Sequence, residues 1–339
     1  MENGEKIQIY LPKEMKLALI QDSIDFEINR TTATKPNLNG LLNMILSNYT
    51  EQYTCERAEQ ISAITRLVKD GPVKGKENDI SELSANILRY IECNPSDRSS
   101  DNTRITLTVN QNTSYIIDKM LYSKDAFSHF AGSTSETLRS FFAFYLSKPK
   151  YIREEILFAD AFKKLRVAKQ KRKYVSFSSI SNGKRIFFEN QRICDIMADQ
   201  NEKFNYLICM EKDSSVPRSF RISRIPEGSI DLSDQKFSIS PAEENALKEV
   251  RKYGPLYASP DIITAKVAFT PEGIDKYNRI YTNRPPYMEA VENVYTFIWP
   301  QFHLAEYLKR FGPEAEVLSP ESLRKELRTF YTAAAKKYK

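Results

Sequence analysis

The sequence predicts an α+β chain of several domains, on three observations. A strand–helix–helix unit in residues 6–49 recurs about a hundred residues later, residues 174–237 hold a series of short strand-like segments, and the tail from Thr264 alternates strands with helices. At 339 residues the chain is long enough for two or three cores. The divisions expected are 1–149, 150–240 and 241–339, the last a small α+β domain.

In chain order, residues 6–11 alternate strictly, with Ile7, Ile9 and Leu11 on one face and Lys6, Gln8 and Tyr10 on the other. Pro12 suits the first turn of a helix reaching to about residue 24. After a polar loop through Thr31 to Pro36, Asn37 or Asn39 caps a second helix striped by Leu41, Leu42, Ile45, Leu46 and Tyr49. Residues 55–68 and 79–92 have helical spacing of their own. Gly71 to Lys76 separates them, and it fails as a phosphate loop: three residues rather than four lie between the glycines, and Glu77 stands where Ser or Thr is required.

A polar linker, 94–102, leads to residues 104–109, which alternate again with Ile105, Leu107 and Val109 inward and Arg104, Thr106 and Thr108 outward. A helix through Tyr115 to Leu121 follows. Ser133 and Glu136 then make a capping box for a helix carrying Leu138, Phe141, Phe142 and Tyr145 at the spacing of Leu42, Ile45, Leu46 and Tyr49. This is an internal duplication. A lone strand leaves backbone groups unpaired, so residues 6–11 are expected to pair with 104–109.

From Lys150 one or two helices run to Lys173. Lys163, Lys164, Arg166, Lys169, Lys171, Arg172 and Lys173 fall within eleven residues that hold no acid. Such a run is either a solvated helix face or part of a surface for a polyanion. Asn182-Gly183 marks a hairpin turn between Val175–Ile180 and Arg185–Ile196, and residues 241–252 read as a helix.

The stretch Phe204–Ile225, FNYLICMEKDSSVPRSFRISRI, reads as two adjacent strands. Side chains alternate with period 2, so Arg218, Arg221 and Arg224 cannot all share one face of a regular strand. A guanidinium turned inward needs a partner, either a ligand phosphate or carboxylate or an internal salt bridge. Tyr206 suits either a core position or ligand contact, as does Trp299. In the tail, Ala265–Phe269, Val294–Trp299 and Ala315–Leu318 are strand-like. Pro300–Phe311 is a helix, and Ser319-Pro320 opens a last helix with Leu323, Leu327 and Phe330 inward.

Composition limits the chemistry. Hydrophobic residues at 41% and aromatics at 12% suit a folded chain. No apolar run approaches the roughly 18 residues of a membrane span, and the first residues do not resemble a signal peptide, so a cytoplasmic protein is expected. Cys55, Cys93, Cys194 and Cys209 are far apart and form no CxxC pair; free, mostly buried thiols are expected, with no metal or other cofactor. His129 and His303 are the only histidines, and GxSxG and HExxH are missing from the sequence. A non-enzymatic protein is expected.

Two resemblances join these residues to known families. Each strand–helix–helix unit resembles half of a ribbon-helix-helix domain. That likeness implies that Lys6, Gln8, Tyr10, Arg104, Thr106 and Thr108 face the major groove, with Asn39 and Ser135 near phosphates. Ribbons of this kind also serve protein contact, the exposed threonines suit both roles, and Tyr10 equally suits stacking on an unpaired base.

Asn205, Tyr206 and Leu207 stand where a WYL domain has Trp-Tyr-Leu, and Arg218-Ser-Phe-Arg-Ile-Ser-Arg-Ile225 resembles the arginine-rich strand after it. Phe158–Val167 looks like that domain's opening helix, and FHLAEYLKRFGPEAEVLSPESLRKEL resembles the WYL C-terminal extension, often a dimerisation domain. The likeness implies a small Sm-like, SH3-type barrel that senses ligands or single-stranded nucleic acid. Tyr206, Arg192, Arg218, Arg221 and Arg224, with Lys169 and Arg172 of the basic helix, would line the site.

The order of motifs resembles the WYL accessory proteins of type VI-D CRISPR systems. That implies a homodimer that binds single-stranded RNA or DNA and enhances an RNA-guided nuclease. The competing readings are a repressor that reads duplex DNA with its ribbon, and a scaffold whose basic patches meet an acidic protein.

Overall fold

Strict alternation in two distant segments builds the first layer of the fold. Strand β1 (Lys6–Pro12) pairs antiparallel with β2 (Asn102–Thr108), in the register Gln8 to Thr106 and Tyr10 to Arg104. The ribbon expected between the two halves of the duplication is therefore present. This computed structural model describes residues 5–28, 36–71, 76–92, 102–122, 133–181, 183–199, 201 and 203–338. The loop 31–35, the Pro72–Gly75 turn, Cys93, the linker 94–101, His129 and Asn182 lie outside them. The chain divides into two units, residues 1–159 and 160–339.

In the first unit, Ile9, Leu11, Ile105 and Leu107 turn the apolar face of the ribbon inward. Behind it stand α1 (Lys13–Asp25), α2 (Leu38–Asp70), α4 (Gln111–Tyr122) and α5 (Thr134–Leu146), with α3 (Glu77–Glu92) alongside α2 and α6 (Lys150–Leu157) closing the unit. Asn37 caps α2 by accepting from the Gly40 N–H at 2.8 Å, and Ser133 with Glu136 forms the capping box of α5. Leu42, Ile45, Leu46 and Tyr49 are buried, as are their counterparts Leu138, Phe141, Phe142 and Tyr145. Tyr49 meets Tyr145 with ring centroids 6.1 Å apart.

One expectation fails here. The helix expected to end near Tyr49 and the one expected at 55–68 are a single helix of 33 residues, about 50 Å long. No glycine or proline interrupts residues 41–70, and buried Tyr53 and Arg57 carry the packing past the first stripe.

The second unit opens with α7 (Ala159–Lys171) and a sheet of β3 (Lys173–Ser181), β4 (Lys184–Ala198), β5 (Asn205–Glu211), β6 (Arg218–Arg221) and β7 (Asp231–Lys236). Strand order is β6-β5-β4-β3-β7. Among the described residues no pairing joins β6 to β7, so the expected barrel is an open sheet. Strand β6 is only four residues long and ends in a one-turn 3-10 helix, Ile222–Arg224, which stops the ladder before closure.

Helix α8 (Pro241–Tyr253) packs Leu247 and Val250 on Cys194, Ile208 and Met210. A second sheet, β11-β8-β10-β9, uses β8 (Ile262–Phe269), β9 (Glu289–Val291), β10 (Val294–Pro300) and β11 (Ala315–Ser319). Around it lie α9 (Pro271–Arg279), α10 (Gln301–Leu308) and α11 (Glu321–Ala335). Leu323 and Leu327 face inward as expected, but Phe330 stays 41% exposed beneath the Lys309 ammonium. Among the described residues no helix is long and apolar enough to cross a membrane.

Candidate nucleic-acid interface

Strand β5 is apolar at nearly every position because it runs between two neighbours, and β6 lies beyond it at the sheet edge. Tyr206 sits opposite Arg221 and Cys209 opposite Arg218. Alternation puts Arg221 on the face of Tyr206 and Arg218 on the other, so two of the arginines diverge as the period-2 argument requires. Arg224 falls in the 3-10 turn, half-buried.

The three arginines are held differently. Arg218 pairs with Glu211 at 2.5 Å, with both side chains about two-fifths exposed. Pairs this wet contribute about 1 kcal/mol or less, so an incoming phosphate competes readily. Arg221 lays its guanidinium carbon 3.4 Å from the centroid of the Phe204 ring and donates from Nε to Ser223 Oγ at 2.9 Å. A guanidinium stacked on a ring keeps its plane fixed, and a planar fork with a fixed plane suits phosphate or a flat base. Tyr206 lies across the strand from it, its ring against the cluster of Ile208, Met210 and Leu247.

Arg192 corrects the sequence reading. Its guanidinium is buried rather than at the surface, donating to Glu243 Oε1 at 2.7 Å and to the Ser214 carbonyl at 2.8 Å. Glu243 is also the capping-box carboxylate of α8, accepting from the Ser240 N–H at 2.7 Å. The Arg192 guanidinium and that cap hold the Glu243 carboxyl down to about 2. Arg192 therefore ties β4 to the start of α8.

The basic run is partly neutralised. Lys169 reaches Asp195 at 2.7 Å, Lys173 reaches Asp234 at 2.8 Å and Lys164 lies 3.4 Å from Glu227. Burial pushes the Asp195 carboxyl up, but the bonds from Lys169 and Arg251 outweigh it and leave it below its ordinary value. Lys163, Lys171 and Arg172 are exposed and form no ion pair among the described residues. Arg172 ends α7 with φ +52, its carbonyl accepting from the Phe237 N–H.

In the first unit Lys6, Gln8, Tyr10, Arg104 and Thr106 are exposed on the outer face of the ribbon, while Thr108 is partly buried. Asn39 and Ser135, expected near phosphates, hold the ribbon instead. Asn39 Oδ1 accepts from the Thr108 N–H at 2.8 Å, and the Tyr10 N–H donates to Ser135 Oγ at 2.9 Å. Arg139 Nε donates to the Tyr10 carbonyl at 3.0 Å, and the Glu136 carboxylate sits at the start of α5, bonded to the Ser133 N–H. A phosphate approaching α5 end-on meets that negative charge.

Sequence reasoning missed Phe204 and Glu243. Phe204 directly precedes Asn-Tyr-Leu, yet nothing local shows that it lies beneath an arginine 17 positions on. Glu243 was legible as the last residue of Ser240-Pro-Ala-Glu243, a capping-box pattern. Trp299 is 5% exposed against the rings of Tyr253 and Tyr257, a core position. Burial lowers the His303 pKa, and no metal-binding cluster of His, Cys, Asp or Glu occurs among the described residues.

No known family profile matches the sequence, and no curated protein matches it. A crystallographically solved protein described as CRISPR Cas-related superposes with a TM-score of 0.69 at 21% identity, over 99% of this chain and 94% of its own. At that identity the likeness is one of fold. The proteasome accessory factor B/C (PafBC) of Arthrobacter aurescens gives a TM-score of 0.29 at 13% identity, over 95% of this chain and 54% of its own, too low to carry an argument.

Proposed function

We propose that this chain is a CRISPR-associated regulator that binds single-stranded RNA at the β5–β6 edge and acts on an RNA-guided type VI-D nuclease by binding rather than by catalysis. The observation that carries this reading is the likeness of fold, along 99% of the chain, to a CRISPR Cas-related protein. Arg221 stacked on Phe204 beside Tyr206 supplies the chemistry that favours a single strand: charge for the backbone and flat surfaces for bases. A cytoplasmic homodimer joined through the C-terminal sheet belongs to the same proposal.

The rival, duplex DNA read by the ribbon, is favoured by the exposure of Lys6, Gln8, Tyr10, Arg104 and Thr106. It is disfavoured by Asn39 and Ser135, whose side chains are spent on the ribbon backbone. Competition against a labelled single-stranded RNA separates the two. Displacement by unlabelled single strands and not by duplex DNA supports the proposal; preferential displacement by duplex rejects it.

A further inference from the structure

Outside the β5–β6 edge, one part of the second unit is built like a contact surface. Strand β7 pairs with β3 only as far as Ser176, and β5 pairs with β4 only from Gln191 onward. Beyond those points, among the described residues Phe177–Ser181 and Lys184–Phe188 have only each other as strand partners. The result is a two-stranded arm whose base is buried at Ser178 and Ser179, where the Ser178 N–H donates to Ser229 Oγ at 3.1 Å, and whose described residues from Ile180 to Phe187 are exposed. Its root is fixed by Phe177, Phe188 and Phe220, whose ring centroids lie 4.6 to 5.8 Å apart. Gly183, at φ +72, lies in the turn at its tip.

The exposed surface of this arm is apolar and cationic. Phe187 is 62% exposed, Ile186 49% and Ile180 37%. Lys184 and Arg185 are exposed and make no ion pair among the described residues. Register places Phe187, Arg185 and Ile180 on one face and Ile186 with Lys184 on the other. No aspartate or glutamate occurs from Ala161 to Phe188, a stretch with nine lysines and arginines. Exposed aromatic and aliphatic side chains grouped on the distal part of a hairpin gain from being covered.

We infer that this arm is a second contact for the single strand, with Phe187 stacking on a base and Arg185, on the same face, holding a flanking phosphate. A polyanion with flat apolar faces matches both halves of the surface, whereas an acidic protein matches the charge and leaves the exposed ring without a specific role. The inference rests on the single-stranded RNA reading and adds residues to it.

The test uses the full chain and a labelled oligouridine about as long as a Cas guide segment, on the order of 20 nucleotides. Phe187→Ala is expected to weaken binding about five- to a hundredfold, the loss of one stacked base. Phe187→Tyr, which keeps a ring, is expected to bind like wild type and separates stacking from misfolding. Arg185→Glu is expected to flatten the salt dependence, by roughly 0.7 in logarithmic slope for the lost phosphate contact. If wild type binds and all arm variants bind equally well, the arm inference is overturned while the RNA reading stands. Full RNA binding by the arm variants together with loss of a protein partner overturns it in favour of a protein site. If wild type itself fails to bind at low salt, the RNA reading falls and the arm inference with it.

Discussion

Asn39, at the start of α2, grips the main chain of Thr108 in β2 at both ends of its amide, accepting from the N–H at 2.8 Å and donating to the carbonyl at 3.2 Å. The relation repeats in the other half of the duplication, where Ser135 and Arg139 of α5 hold the N–H and carbonyl of Tyr10. Each half thus secures the ribbon strand contributed by the other. Asn39→Ala is expected to destabilise the protein by about 0.5–1.5 kcal/mol, since the Thr108 N–H loses its acceptor while the Thr108 carbonyl keeps the Asn43 amide as donor at 3.0 Å. Urea denaturation measures this; an unchanged midpoint would show that water replaces the amide at no cost.

Arg192 and Glu243 give a second prediction. Glu243→Ala leaves a buried guanidinium without its carboxylate, at about 3–5 kcal/mol. Because Arg192 is buried, RNA affinity of the folded variant stays as in wild type. The pair also sets an acid limit. The Glu243 carboxyl falls from 4.5 to about 2 on folding, so its contribution is complete above pH 4.5 and is lost as pH drops towards 2. Loss of this acid-side slope in Glu243→Gln checks the assignment.

Asp22 works in the opposite direction. It is buried between the Tyr145 hydroxyl at 3.2 Å and the Arg153 guanidinium at 3.0 Å, and burial outweighs both, raising its pKa from 3.8 to about 6. A folded-state pKa above the unfolded one contributes stability that is full below about pH 4 and lost as pH rises through 6. Two units correspond to about 3 kcal/mol. Stability measured against pH is expected to decline across that window in wild type and to stay level there in Asp22→Asn.

How far these features could be read in advance varied with the range of the interaction. The β1–β2 pairing and the Ser133 cap were legible because alternation and capping are written in consecutive residues. Arg192 was not, since its partner lies 51 positions away and an arginine in a strand looks the same whether it points to water or to a buried carboxylate. The junction of two helices into α2 was missed because the apolar stripe thins after Tyr49, although no breaker residue stands there. Barrel closure depends on where β6 stops, which is decided by the turn at Ile222–Arg224 rather than by the apolar pattern.

The ribbon supplies a negative prediction. Gln8→Ala with Arg104→Ala removes two exposed side chains of the first unit and is expected to leave single-stranded RNA binding unchanged. A filter-binding comparison with wild type decides it. A large loss would move the RNA site onto the ribbon.

The most direct measurement is anisotropy of a labelled single-stranded RNA titrated with wild type and Arg221→Ala, at about 50 and about 200 mM salt. The account predicts that wild-type affinity falls about tenfold or more between the two salts, and that Arg221→Ala is about tenfold weaker at the lower one. Equal affinity at both salts, or an Arg221→Ala curve lying on that of wild type, would contradict it.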